Sequence, residues 1–254
     1  DGWSISLTQD EYDAIEDSCN YLVDLESEMY NGTLKVGELA IKGSIPEMLF
    51  LSHMCHPAQF NDGLVGVLVN VYLIKWLNRY AQGLSYTYKF LFMPETIGSH
   101  AYCSSKANYE NSVMAVFTEM LALDAPLHIQ MSESEDDLVN VYLRLAAKSS
   151  GDIARFSPYL GVIRNDEKVF GAPGIEVPSA SVTRALGREY EDHPYVTYHT
   201  SEDNVENSDL DRLKEALSYL QVFILIMEKD CLVERQFDGI PMLSRHGLFF
   251  NPQT

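Results

Sequence analysis

The sequence predicts an α/β protein, a three-layer α/β/α arrangement around a mixed, mostly parallel sheet. Two observations carry this. Short apolar runs of strand length alternate with segments in which apolar residues recur at helical spacing, the order that builds a sheet covered by helices on both faces. Unusual polar clusters also fall where the strand-like runs stop, and in such sheets ligands sit at the carboxyl ends of the strands. With 254 residues, 46% of them hydrophobic and 22% charged, the chain has the material for one large core. We therefore expect a single domain over 1–254, with 1–45 forming a hairpin or edge-strand region of it.

Taken in order, "LTQDEYDAIEDSCNYLVDLESEMYNG" (7–32) mixes acids and aromatics and suits a short helix or irregular strands before the Asn31-Gly32 turn. "GTLKVGELAIKG" (32–43) alternates apolar and polar residues, as a hairpin or edge strand does. "EMLFLSHM" (47–54) reads as a central strand. From 63 to about 80, Leu64, Val67, Leu68, Val71, Ile74 and Leu77 mark a buried helix, interrupted by Asn70 and Lys75 and too short to span a bilayer. "YTYKFLFM" (86–93) is the next strand, 99–108 a helix, and "SVMAVFTEML" (112–121) a further strand. "DDLVNVYLRLAAK" (136–148) is an amphipathic helix, and "PGIEVPSASVTR" (173–184) holds a short strand after a proline turn. Ser208 with Asp211 gives a capping-box-like start to the last helix, along which Leu210, Leu213, Leu217, Leu220 and Ile224 follow one face.

A formal net charge of −19 argues against nucleic acid and anionic membranes as partners, since both call for basic patches. No secretory signal is visible at the start of the sequence. Cys19, Cys55, Cys103 and Cys231 form no CxxC pair and read as reduced, mostly buried thiols, which favours the cytoplasm.

Four clusters carry candidate chemistry. In "LSHMCHPAQFNDGLVG" (51–66), His56 and Asp62 lie between a strand and a helix; both are good zinc ligands, and Asp62 would equally suit a helix N-terminus. In "FMPETIGSHAY" (92–102), Glu95 follows a strand directly and is either an N-terminal helix acid or a general base. His100, on the helix, is a weaker candidate. In "FTEMLALDAPLH" (117–128), Glu119 ends an apolar run, where an unpaired carboxylate is costly, so it is a possible further ligand. In "YVTYHTSEDNVENSDL" (195–210), His199 is a loop histidine or a ligand. A histidine, two acids and a second histidine, each at a strand-to-helix crossing, point together to a metal site.

These residues resemble a known superfamily. "NDGLVG" (61–66) is similar to the Asn-Asp-x-x-x-Gly segment of zinc-dependent aminopeptidases related to transferrin receptor and glutaminyl cyclase. "ETIGS" (95–99) resembles their Glu-Glu-x-Gly stretch, and "YHTSEDN" (198–204) their Tyr-His-Thr-x-x-Asp segment. Together with "CHPAQFNDGLVG" and "PGIEVPSASVTR", they resemble a bacterial aminopeptidase-like subgroup with Cys-His-Pro and Pro-Glu-Thr-Ile-Gly-Ser motifs, collinear over about 2–248. The subgroup's inserted small domain and winged helix are not seen, so the expectation is a catalytic core or shortened relative. The resemblance implies a zinc exopeptidase-like fold and an aminopeptidase acting on peptides or amino-acid amides. It implies His56, Asp62 and His199 as metal ligands, Glu95 as general base, and Asp166, Glu167 and Tyr198 at the substrate. Ala58 and Thr96 stand where the wider superfamily has acids, and Glu119 where it has an aspartate, so a single zinc with an open fourth position is expected. Arg184 is expected to pair with an acid. Carboxypeptidase, N-acyl amino acid deacylase or cyclotransferase chemistry on the same fold, or a scaffold that has lost the chemistry, are the alternatives. A homo-oligomer is left open.

Overall fold

The computed structural model describes residues 5–55, 59–80, 83–186, 193–231 and 233–248. The chain divides into two units, Asp1–Leu34 and Lys35–Thr254. The first carries one short helix, α1 (Gln9–Asp13). Thr8 caps it reciprocally: its hydroxyl accepts the Glu11 N–H at 3.3 Å and the Glu11 carboxylate accepts the Thr8 N–H at 2.8 Å. Its described residues, 5–34, are all exposed.

The second unit is built on a seven-stranded sheet: β1 (Gly37–Ile41), β2 (Glu47–His53), β3 (Thr87–Met93), β4 (Ser112–Thr118), β5 (Leu127–Gln130), β6 (Ala154–Ser157) and β7 (Ser179–Thr183). The spatial order is β1-β3-β2-β4-β7-β5-β6. β2, β3, β4 and β7 are mutually parallel where they pair, as are β5 and β6; β1 on β3 and β5 on β7 are antiparallel. The sheet is thus mixed and mostly parallel. The central strands alternate between two cores. Met48, Phe50, Tyr88, Phe90 and Val116 face α2 (Val65–Leu77), α4 (Leu138–Ser149) and α6 (Leu210–Lys229). Leu49, Leu51, Leu91 and Phe117 face the opposite layer, which holds α3 (Ile97–Cys103) and α5 (Glu167–Phe170).

Several expectations change in detail. The helix after the first cluster starts with a π-helical turn, Phe60–Leu64, before α2. Its buried face is Val65, Val69, Leu73 and Leu77, while Leu64 and Leu68 are exposed. The helix is apolar nearly all round, so periodicity alone cannot say which stripe faces the sheet. The choice is made by Asn70, whose amide donates to the Ser52 hydroxyl at 3.2 Å, and by Gly66, which abuts β4. Phe60–Leu77 is 18 residues with a mean hydropathy of 1.2, long and apolar enough to cross a membrane by composition, and half of it is buried in the protein. The last helix is capped by Asp209, which accepts the Asp211 and Arg212 N–H groups; the Ser208 hydroxyl instead donates to the Asn204 carbonyl. The expected helix over 99–108 is α3 followed by a 3-10 turn at Lys106–Asn108. β5 and β6 have no counterpart in the sequence reading; each is four residues and polar at alternate positions. Cys19, Cys55 and Cys231 are exposed and Cys103 half-buried, not mostly buried as expected. Arg184 is fully buried and pairs with Glu215 at 2.8 Å, also donating to the Leu121 and Arg212 carbonyls.

Gly66 sets how closely α2 approaches the end of β4. A Cβ there would lie 2.0 Å from the Thr118 carbonyl oxygen, a backbone atom that cannot step aside. Gly66→Ala is therefore expected to cost about 1–3 kcal/mol or more by overpacking. The expected result is a lower urea midpoint at unchanged slope, with Leu68→Ala, on the exposed side, nearly neutral.

Candidate metal centre

Parallel pairing of β2 with β4 puts their carboxyl ends at one edge of the sheet. His53 is the last residue of β2, and Glu119 follows the last residue of β4; both are completely buried. The ring of His53 stacks on Phe117 with centroids 5.6 Å apart, and its Nε2 lies 2.9 Å from Glu119 Oε2. Asp62, in the π-helical turn, comes in from above: its Oδ1 is 3.9 Å from the same Nε2. One donor atom from each of His53, Asp62 and Glu119 lies within 4.8 Å of the other two. The other oxygen of Asp62 is 3.3 Å from His199 Nε2.

The neighbours hold this set in place. Asn165 donates to both oxygens of Glu119 at 2.9 Å. The Met120 N–H donates to the Asn61 carbonyl at 2.7 Å, tying the end of β4 to the turn that carries Asp62. Buried Asp203 accepts the N–H groups of Asn61 at 2.9 Å and Asp62 at 3.2 Å, and the Tyr195 hydroxyl at 2.9 Å. Of the non-glycine residues with left-handed backbone, Thr96, Met120 and His199 fall next to Glu95, next to Glu119 and at the site itself, while Asp152, Leu160 and Glu176 are not among the residues gathered here. Such strain persists where the surroundings over-determine it, and it clusters at working sites.

Glu95 follows β3 at the same edge. A carboxylate oxygen of Glu95, a ring nitrogen of His53 and Cys55 Sγ lie within 4.8 Å of one another. The backbone around Glu95 is pinned twice: its own N–H donates to Cys55 Sγ at 2.8 Å, and the Thr96 N–H donates to Asp166 at 3.0 Å. Burial raises the Glu95 carboxyl above its ordinary range, with His53 partly offsetting it.

Asp62, Glu95, Glu119 and His199 are thus gathered at one place. His56 lies outside the described residues, and the described histidine at the centre is His53, three positions earlier. Tyr198 stacks on His199 with ring centroids 3.8 Å apart. Asp166 and Glu167 are fully buried. One oxygen of Asp166 accepts the Thr96 N–H, and one oxygen of Glu167 accepts from the Gln130 amide and the Asn165 N–H, both at 3.0 Å, while Asp166 Oδ2 and Glu167 Oε2 are buried without a hydrogen bond among the described residues. His100 is exposed on α3, away from this set.

Burial lifts the Glu119 carboxyl from 4.5 to about 8, although His53 opposes the shift. The folded protein without a cation therefore keeps a proton that the unfolded chain gives up at lower pH. A group raised on folding contributes stability that is present below the unfolded value and lost as pH rises through the folded one. Chelator-treated protein is expected to lose stability between pH 4.5 and about 8, and Glu119→Gln to flatten that slope, as read from urea midpoints across the pH series.

The family model "Domain of unknown function (DUF4910)" matches residues 3–230. The chain belongs to this family. A presumed polysaccharide biosynthesis protein with an aminopeptidase-like domain, from Clostridium acetobutylicum, is 28% identical over 255 residues, which is 98% of this DUF4910 chain and 56% of that protein. The crystal structure of a presumed peptidase from Clostridium acetobutylicum superposes with a TM-score of 0.75 at 26% identity, covering 89% of this chain and 52% of the other. A zinc aminopeptidase from Bacillus subtilis superposes with a TM-score of 0.62 at 18% identity, over 80% of this chain and 51% of that one. A glutaminyl cyclase from an Acidobacteriales bacterium gives 0.62 at 15%, over 77% and 74%. The fold of the DUF4910 chain is that of the aminopeptidases and glutaminyl cyclases. The chain spans about half the length of the first two relatives.

Proposed function

We propose that this chain is a zinc-dependent hydrolase that cleaves an amide bond, acting as an aminopeptidase on peptides or amino-acid amides. The observation that carries the reading is the meeting of His53, Asp62 and Glu119 beside Glu95 at the carboxyl edge of the sheet. The donor set fits the metal: an imidazole and two carboxylates are borderline-to-hard ligands suited to zinc, and three protein ligands leave a position open for chemistry. Two carboxylates buried together are costly without a cation, as the upward shift of Glu119 shows.

In this reading His53 Nε2, Asp62 and Glu119 hold one zinc, and His199 engages the second oxygen of Asp62. Zinc held by these residues would supply polarisation of the scissile carbonyl and a more acidic water. Glu95 accepts the proton of the attacking water and returns it to the leaving amine. Its raised carboxyl suits it to both halves of that transfer, because a base works best with a pKa near the operating pH. Asn165 fixes the orientation of Glu119, and Cys55 with Asp166 fixes the backbone that carries Glu95. In this reading Tyr198, stacked on His199, donates its hydroxyl to the developing oxyanion. Asp166 and Glu167 act through the negative field they add beneath the site, which favours a cationic substrate end, with no direct contact.

Zinc analysis of the purified protein tests the reading. About one equivalent is expected, by analogy with single-site catalytic zinc. His53→Ala and Asp62→Asn are expected to lose it. Aminoacyl nitroanilides should be hydrolysed, with N-acyl amino acids and N-terminal glutamine peptides turned over poorly. Wild-type protein that refuses added zinc would instead favour a scaffold that keeps the fold without the chemistry.

A further inference from the structure

His53 stands at a fork. Its Nε2 faces the buried carboxylates Asp62 and Glu119, while its Nδ1 faces both the exposed Cys55, 3.4 Å from Sγ, and the buried Gln59 amide, 3.3 Å from the Gln59 Nε2, which an arriving ion displaces. A carboxylate oxygen of Glu95 completes this second group, in which the three donor atoms lie within 4.8 Å of one another. We infer that His53, Cys55 and Glu95 form a second, thiol-containing cation site that captures soft divalent ions such as cadmium, or zinc in excess. The binding part of this stands on geometry alone; its inhibitory consequence rests on the hydrolase reading.

The distances suit such an ion. With metal–sulfur and metal–nitrogen bonds of about 2.3 and 2.0 Å, tetrahedral donors sit roughly 3.5 Å apart, close to the separation of Nδ1 and Sγ. The chemistry divides the two groups: the inner set offers imidazole and oxygen, the outer one a sulfur that prefers softer ions. The inner set is buried, whereas Cys55 is exposed and Glu95 half-buried, so an arriving ion meets the thiol first. A ring that carries one proton presents one free nitrogen at a time. An ion on Nδ1 therefore competes with an ion on Nε2 and also takes Glu95 out of proton transfer. The thiol proton leaves to solvent as Cys55 ligates.

Cadmium is the probe. Metal-free full-length protein titrated with cadmium should develop the ultraviolet absorption of a thiolate–cadmium bond, saturating near one equivalent. Cys55→Ser should abolish that band, while Glu119→Gln and a variant with Cys19 and Cys231 replaced by serine should keep it. Cadmium affinity should fall in Cys55→Ser by at least the ~10–100-fold that loss of a supporting partner of a metal ligand typically costs. The proposal is overturned if wild type shows no such band, or if the band survives in Cys55→Ser. In the zinc-loaded variant with Cys19 and Cys231 replaced by serine, cadmium should suppress hydrolysis over the same concentrations that raise the thiolate band. A band that depends on Cys55, in a protein with no hydrolase activity, would uphold this site and count against the proposed reaction alone.

Discussion

Glu95→Gln is expected to lower kcat by about 10²–10⁴-fold, the usual worth of a positioned general base, while zinc content stays at the wild-type level. The substitution keeps size and shape and removes the carboxylate that accepts the proton. Separating the two readouts matters, because loss of metal would also abolish turnover. The pH profile supplies a further check. Protonation removes the base, so kcat/KM in wild type should fall on the acid side, and that acid limb should be missing from Glu95→Gln. A glutamine variant with near-wild-type turnover would remove Glu95 from the mechanism.

Asp203→Ala should be among the most damaging single changes to stability. The Asp203 carboxylate is 2% exposed and accepts three hydrogens, from the Asn61 and Asp62 N–H groups and the Tyr195 hydroxyl. Alanine leaves these donors without it, and each donor that stays dry costs about 1–3 kcal/mol. A loss of roughly 3 kcal/mol or more is expected from these terms, read as a shift of the urea midpoint. Because the same hydrogen bonds aim Asp62, zinc affinity should weaken even under conditions where the variant is folded. Asp203→Asn, which keeps an acceptor oxygen, should recover part of both losses. Unchanged zinc affinity in folded Asp203→Ala would show that the turn holds Asp62 without help.

The layered fold was readable because strand-length apolar runs alternate with helices and because the central strands are buried on both sides. Asp62, Glu95, Glu119 and His199 were readable for a related reason: each is a polar residue where an apolar element ends. His53 was harder to see. It sits inside the run "EMLFLSHM", where a histidine reads as core, and His56 three residues on has equal chemical claim. The missing information was the extent of β2. With the strand ending at residue 53, the period-two series Leu49, Leu51, His53 places the imidazole on the Phe117 side at the tip of the sheet. Asp203 lies within "YHTSEDN", but its task is not legible there, because two of its three partners, the Asn61 and Asp62 N–H groups, lie about 140 residues away in the chain. The burial of Asp166 and Glu167 could not be read from "RNDEKVFGAPG", which is as polar as any surface turn until the Gln130 and Thr96 partners are known.

The donors converge through the parallel alignment of β2 and β4, not through any local loop, and His53 and Glu119 are 66 positions apart. The proposed cation capture is thus a property of the finished tertiary structure. A nascent chain released only as far as α2 presents His53 and Asp62 without Glu119, and gains His199 only after β7 has emerged. Uptake of the ion would follow synthesis rather than guide it, and would act as a late lock on a sheet already zipped together.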